Sequence, residues 1–336
     1  MRNFDPHLAE IRFGFGLSPV IAAPSSPDAI LAGLGGSDVM AEEFPVEPFS
    51  AFRVRMVEAQ KQWRIRRMNR GTEEAAAARK RRNELNKEAR IAMFVWLTQT
   101  MLRRTYSETA FRERLVAFWA DHFTAMGKRG VIRRATSPYV EDAIRPFIAG
   151  NFEDLLQSAV MHPLMLDYLD QAKSIGPNSA RAIKKGQNTP SRLNENLARE
   201  VMELHTLGVP SADTVPGESY GETPYGDAER AVSRYLAAHP ATARHIAWKL
   251  AVHFVGDTPD PDLIDTLEGA YRKNDGALMP VYEALLTHPA GWQAPLSNYK
   301  PPIDFMSSAM RGLAVPKDAC EGKTENRLRN MFAGPL

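Results

Sequence analysis

Two short stretches of this chain carry ionisable side chains on the faces that helices would bury. Residues 111–123 end in Phe118-Trp119-Ala120-Asp121-His122-Phe123, and residues 193–208 read Leu-Asn-Glu-Asn-Leu-Ala-Arg-Glu-Val-Met-Glu-Leu-His-Thr-Leu-Gly. At about 100° per residue, Phe111, Leu115, Phe118 and Trp119 share one face, with His122 in its middle. Leu193, Leu197, Val201 and Leu204 share another, with Glu200 in its middle. A buried imidazole or carboxylate needs a hydrogen-bond partner, an opposite charge or a metal.

Two chemistries fit those residue types. One is a satisfied structural network, with His122 on a backbone carbonyl and Glu200 clamped by an arginine. The other is a working site. There His122 and Glu200 are the catalytic pair, with Arg199 as partner of the acid. Asp121, His122, Glu200, Glu203 and His205 are then candidate ligands of a divalent metal, since facing helices can project carboxylates and histidines onto one ion. Neither Glu-x-x-His nor His-x-x-x-His occurs here, so no established metal spacing supports the ligand set. Glu195, Arg199 and Glu203 also read as an exposed salt-bridge ladder at helical spacing.

The elements that must hold these residues are helical. The apolar period is 3.6 almost throughout, and no alternating strand stands out. Helix starts are expected at Ser137-Pro138, Asn151 and Thr258–Pro261, and a stop at Gly208. The expected fold is all-α, a multi-helix orthogonal bundle with a long basic helical hairpin. Residues 1–336 read as a single domain, with 51–104 as a protruding hairpin turning at Gly71-Thr72. Residues 17–50 read as loops with one short helix near Ala29–Leu34, and residues 174–190 and 210–226 as polar or irregular loops. Three helices end in His-Pro, at His162, His239 and His288. Each reads as a corner whose histidine meets the last carbonyls of the helix before it, in preference to a set of three metal ligands.

Composition narrows the classes. The chain has 336 residues, 44% hydrophobic and 24% charged, with a formal net charge of +2. Such a balance argues against a nucleic-acid partner for the whole molecule. The basic residues are concentrated: Arg53–Arg90 hold thirteen Lys or Arg against five Glu, including Arg64–Arg67 and Arg79–Arg82. These are expected to be a solvated face, with Trp63, Phe94, Val95 and Leu97 turned inward; docking of an acidic partner or nucleic acid is the other reading. One cysteine, Cys320, excludes a disulfide within the chain and a thiolate cluster. No apolar run is long enough to span a bilayer, and Met1–His7 has no export-signal pattern, so cytoplasmic residence is the default expectation. Arg12-Phe-Gly-Phe-Gly lacks the strand and lysine of a phosphate loop and reads as a helix end. A Gly-x-Ser-x-Gly nucleophile elbow is absent.

On these motifs the sequence resembles the bacterial "domain of unknown function 1800" family. Asn194–Val209 is the most specific of them. Arg12–Gly16, Phe118–Thr124, His162–Asp170, His239–Arg244, Lys249-Leu250 and Lys300–Phe305 fit as well. The resemblance implies no settled activity. It does imply a partner, because genes of this family commonly neighbour those of the "domain of unknown function 1501" family, whose members often look like exported, sulfatase-related proteins. Export with such a partner is then the alternative to the cytoplasm. The functional expectation is an enzyme or metal-binding protein with a buried His/Glu site. The alternative is a non-catalytic assembly or chaperone-like partner of the exported protein. The chain departs from the family pattern at Ala120, where many members have histidine. It also departs after Val209, where a block is missing, and at its end, where relatives continue.

Overall fold

A computed structural model describes residues 4–171, 174, 196–208, 225–293 and 298–320, with the backbone alone for 225–231 and Cys320. Among these residues there are fifteen α-helices and no strand; one isolated bridge joins Asn151 and Ala277. The all-α expectation holds. The helices are α1 (Pro6–Arg12), α2 (Pro27–Gly35), α3 (Val39–Glu43), α4 (Phe49–Met68), α5 (Glu73–Tyr106), α6 (Ala110–His122), α7 (Thr136–Tyr139), α8 (Phe152–Met161), α9 (Pro163–Tyr168), α10 (Asn196–Glu200), α11 (Tyr225–Ala238), α12 (Pro240–Phe254), α13 (Pro261–Lys273), α14 (Leu278–Thr287) and α15 (Pro302–Gly312). Two of them continue into the wider π winding: α7 through Val140–Ile144 and α10 through Val201–Thr206. No helix among the described residues is long and apolar enough to cross a membrane.

The caps follow the sequence. Asn151 accepts a hydrogen bond from the Glu153 amide at 2.8 Å, and Pro261 opens α13 behind Asp260. Ser26 caps α2 and Asp38 caps α3, a second short helix within the stretch expected to hold only one. At 136–139 the helix starts two residues early, behind Ala135, so Ser137 is not the cap. Gly208 ends its helix at φ +83°, and Gly71 turns the hairpin at φ +87°.

The His-Pro corners run opposite to expectation. Each histidine serves the helix that follows: His162 Nδ1 accepts from the Leu164 amide (3.1 Å), His239 from Ala241 (3.1 Å) and His288 from Ala290 (3.2 Å). Proline takes the first helical position, where a missing N–H costs nothing, and the imidazole satisfies the next free donor. All three histidines have nearly one backbone conformation, φ −66° to −70° and ψ 133° to 138°.

In the hairpin, Ala75, Ala78, Leu85, Ala89 and Trp96 of α5 are buried at spacings of three, four and seven residues, a narrow apolar seam. Most of its Lys and Arg side chains are exposed or half-exposed. Phe94 is buried and Leu97 half-buried, but Trp63 is 44% exposed and Val95 39%. A seam this narrow leaves those two at its margin, and Trp63 lies against the Arg67 guanidinium, 5.4 Å away. The main core runs from Ala9 through α5, α6 and α8 to Trp292. Buried arginines stitch the elements together. Arg145 holds Glu113 and Asp38, Arg103 holds Glu141 and the Phe44 carbonyl, and Arg112 takes the carbonyls of Gly33, Leu34 and Gly36 at the end of α2. The expected loops at 175–190 and 210–224 lie outside the described residues. The helix from Tyr225 takes over the last two positions of the second.

Candidate active site

The face read on α6 is buried as expected: Phe111, Leu115, Phe118, Trp119 and His122 are all under 5% exposed. Trp119 Nε1 donates to Tyr282 Oη at 2.8 Å, and that hydroxyl donates to the Ile148 carbonyl, so α6 is pinned to α14. His122 is the last residue of this helix. Its ring meets Phe123 edge-on at 4.5 Å and Trp119 at 5.3 Å between centroids. His122 therefore projects from an apolar wall.

The opposite wall is the π-wound segment after α10. Two of its carbonyls accept from imidazoles: His205 O from His122 Nε2 at 3.1 Å, and Leu204 O from His245 Nε2 at 3.2 Å. A carbonyl only accepts, so both Nε2 atoms carry the proton and His122 Nδ1 keeps its lone pair. Into that lone pair Lys249 Nζ donates, at 2.9 Å. His245 and Lys249 stand one turn apart on α12, beside its buried face of Ala243, Ile246, Ala247 and Leu250. Gly208 suits this close approach. A Cβ on it would sit 3.0 Å from His245 Nδ1, and its positive φ is strained for any L side chain.

These groups line a cavity of about 430 Å³, with Asp121, Glu200 and Glu203 on its acidic side and Trp248 on its rim. Its electrostatics favour neutral bases. Burial, then Lys249 and the neighbouring histidines, hold His122 well below the usual imidazole range. Burial and Lys249 lower His205 to about 4. Lys249 itself is pulled down by burial, a shift opposed by Asp121. A lysine that loses its proton more readily than its exposed counterparts, fixed against a neutral imidazole at the edge of a cavity, is equipped to carry protons.

All five candidate ligands, Asp121, His122, Glu200, Glu203 and His205, line this cavity. They are not arranged as expected. Glu200 is not fully buried: its side chain is 24% exposed and meets Arg199 at 3.4 Å. Arg199 is 57% exposed and also approaches Glu203 at 3.8 Å, so it clips two rim acids instead of clamping a buried one. The π winding is the reason. Each residue after Glu200 turns through less than the α-helical angle, which carries Leu204 outward (47% exposed) and brings His205 and Thr206 inward. The polar partners of His122 are Lys249 and a carbonyl, not Glu200. As metal ligands the five fit poorly: both His122 nitrogens are engaged, and among the described residues no three His, Cys, Asp or Glu converge on one point.

Lys249, His245 and Trp248 carry no chemical role in the sequence reading. The available signal was the His245…Lys249 pair at i, i+4 flanking an apolar helix face, which passes for an ordinary solvated edge until α6 is seen to pack against it.

The comparisons with known proteins bear on the whole chain. No curated protein and no solved structure matches it. The family described as "Protein of unknown function (DUF1800)" matches in two segments, residues 9–229 and 209–334. The two segments overlap at residues 209–229. The match takes in every element of the cavity and nearly the full sequence, and the chain belongs to the DUF1800 family.

Proposed function

We propose that this protein is an enzyme that transfers protons at the His122–Lys249 cavity. Lys249 is the general acid and base, and His122 orients its ammonium group. The carrying observation is the 2.9 Å contact from Lys249 Nζ to His122 Nδ1, with the other imidazole nitrogen anchored on a backbone carbonyl. Asp121, Glu200 and Glu203 would engage hydroxyl or cationic groups of a substrate. The cavity is within the size range of small-molecule sites. Competitive acetylation across pH tests the reading: Lys249 should become reactive at a lower pH than the exposed lysines. Lys249 titrating with the exposed lysines would sink it. The metal-binding form of the site has less support, because the ligand set does not converge. It predicts stoichiometric metal in protein purified without additions, lost in His205→Gln.

An assembly role rests on a different observation. Val54, Val57 and Met68 are 71%, 55% and 83% exposed among the basic residues of α4, a surface suited to an acidic protein partner. Salt-sensitive capture of such a partner, abolished by Val57→Glu, would favour that reading.

A further inference from the structure

We propose that a second cavity, between α1, the end of α12 and residues 298–301, binds an oxyanion, a carboxylate or phosphate ester borne on a partly apolar body. The cavity has a volume of about 510 Å³ and shares no lining residue with the Lys249 site. Two motifs that the first site leaves unused meet here, Arg12–Gly16 and Lys300–Phe305. Arg12 donates to the carbonyls of Gly291 (2.6 Å) and Gln293 (2.8 Å). Lys300 Nζ donates to Ser308 Oγ (2.7 Å) and the Phe15 carbonyl (3.4 Å).

The charges do not balance. Among the described residues the hydrogen bonds of Arg12 and Lys300 go to neutral acceptors, while the Asp304 charge also acts on Lys300. Arg114 shares a single carboxylate, Asp304, with Arg104, at 2.9 and 2.6 Å. Among the described residues Asp257 is the only acidic one on the lining, and it is exposed. Two buried nitrogens of the lining, Arg114 Nε and His253 Nε2, have no hydrogen bond among the described residues. Buried polar atoms of this kind ordinarily find a partner. Burial depresses Arg114, Lys300 and His253, the last to about 3; neighbouring cations add to it, and Asp304 opposes it at Arg114 and Lys300. Three cationic side chains on the lining, Arg12, Arg114 and Lys300, favour an anion and repel a metal ion. Phe254, Val252 and Tyr299 offer apolar surface for the rest of the ligand.

The test is titration of the full chain with phenyl phosphate, benzoate and inorganic phosphate at pH 7.5. It is followed by calorimetry and by the histidine ¹H–¹⁵N resonances. Saturable binding of at least one probe is expected, moving the His253 signal and leaving that of His122 in place. Lys300→Gln should weaken it about tenfold or more, the scale of one lost charged hydrogen bond. Lys300→Arg should retain it, and Asp257→Asn should tighten it. Absence of saturable binding by all three probes would overturn the proposal. So would affinity unchanged in Lys300→Gln, or a response at His122 in place of His253. Neither result touches the acid–base reading of Lys249, which is probed by acetylation.

Discussion

At the scale of the residue, the state of His122 is set by its neighbours. Lys249 adds a positive charge to an imidazole that burial already keeps neutral. Replacing that lysine by methionine removes the charge and leaves the apolar wall. In Lys249→Met the His122 titration should therefore move up towards the ordinary imidazole value near 6.5, followed by histidine NMR; no movement would mean the two groups do not interact. Gly208 gives a second residue-scale outcome. Gly208→Ala must keep a left-handed φ and place a methyl 3.0 Å from His245. It should cost about 1–2 kcal/mol in urea unfolding, and more if His245 cannot yield. His122 was legible in the sequence because α6 is regular and its apolar face is unambiguous. Glu200 was misplaced because nothing in Val201–Thr206 announces a change of helical winding.

At the scale of the element, the His162-Pro163 corner ties a helix start to pH. Its cap needs a bare Nδ1, and a protonated imidazole no longer accepts. His162 and His205 lie near 4 in the folded chain and His253 near 3, in each case mainly through burial. Unfolded, the same groups titrate near 6.5. Between those values the unfolded chain binds more protons, so stability is complete above about pH 6.5 and falls as the pH drops towards 4. The slope is at most about 1.4 kcal/mol per pH unit for each such histidine. Thermal denaturation from pH 7.5 to 4 checks this; a flat midpoint would refute it. His239 tests the cap itself. His239→Ala should lose about 1 kcal/mol, and His239→Asn, which keeps a side-chain acceptor, should lose little. Corner positions were legible because proline fixes them; which helix the histidine serves was not, since Nδ1 reaches forward and backward from the same sequence.

At the scale of the molecule, the two ends of the described chain are joined by one side chain. Arg311, 1% exposed, donates to the carbonyls of Gly16, Thr105 and Ser107 and to Glu10. Arg311→Met would strand the buried Glu10 carboxyl, and such breakage costs about 3–5 kcal/mol. Urea unfolding should show it, and Glu10→Gln in the same chain should recover part of the loss. The all-helical class was readable from period and caps alone. These long-range arginine ties were not, because an arginine bound to a distant carbonyl is indistinguishable in sequence from one facing water.

The turn of the hairpin offers a practical handle. Gly71 has no neighbouring atom within 4 Å of where a Cβ would stand, and Met68 beside it is 83% exposed. Below it the 34-residue α5 extends about 50 Å at 1.5 Å per residue. Its far end is anchored by Arg103 and Arg104. Foreign sequence spliced in between Arg70 and Thr72 would hang from a stiff stalk, clear of both cavities. Lengthening such a loop is entropically cheap, about 0.6 kcal/mol per doubling. The tip is therefore the position from which to tether the protein to a surface or fit it with a reporter while its chemistry is being sought.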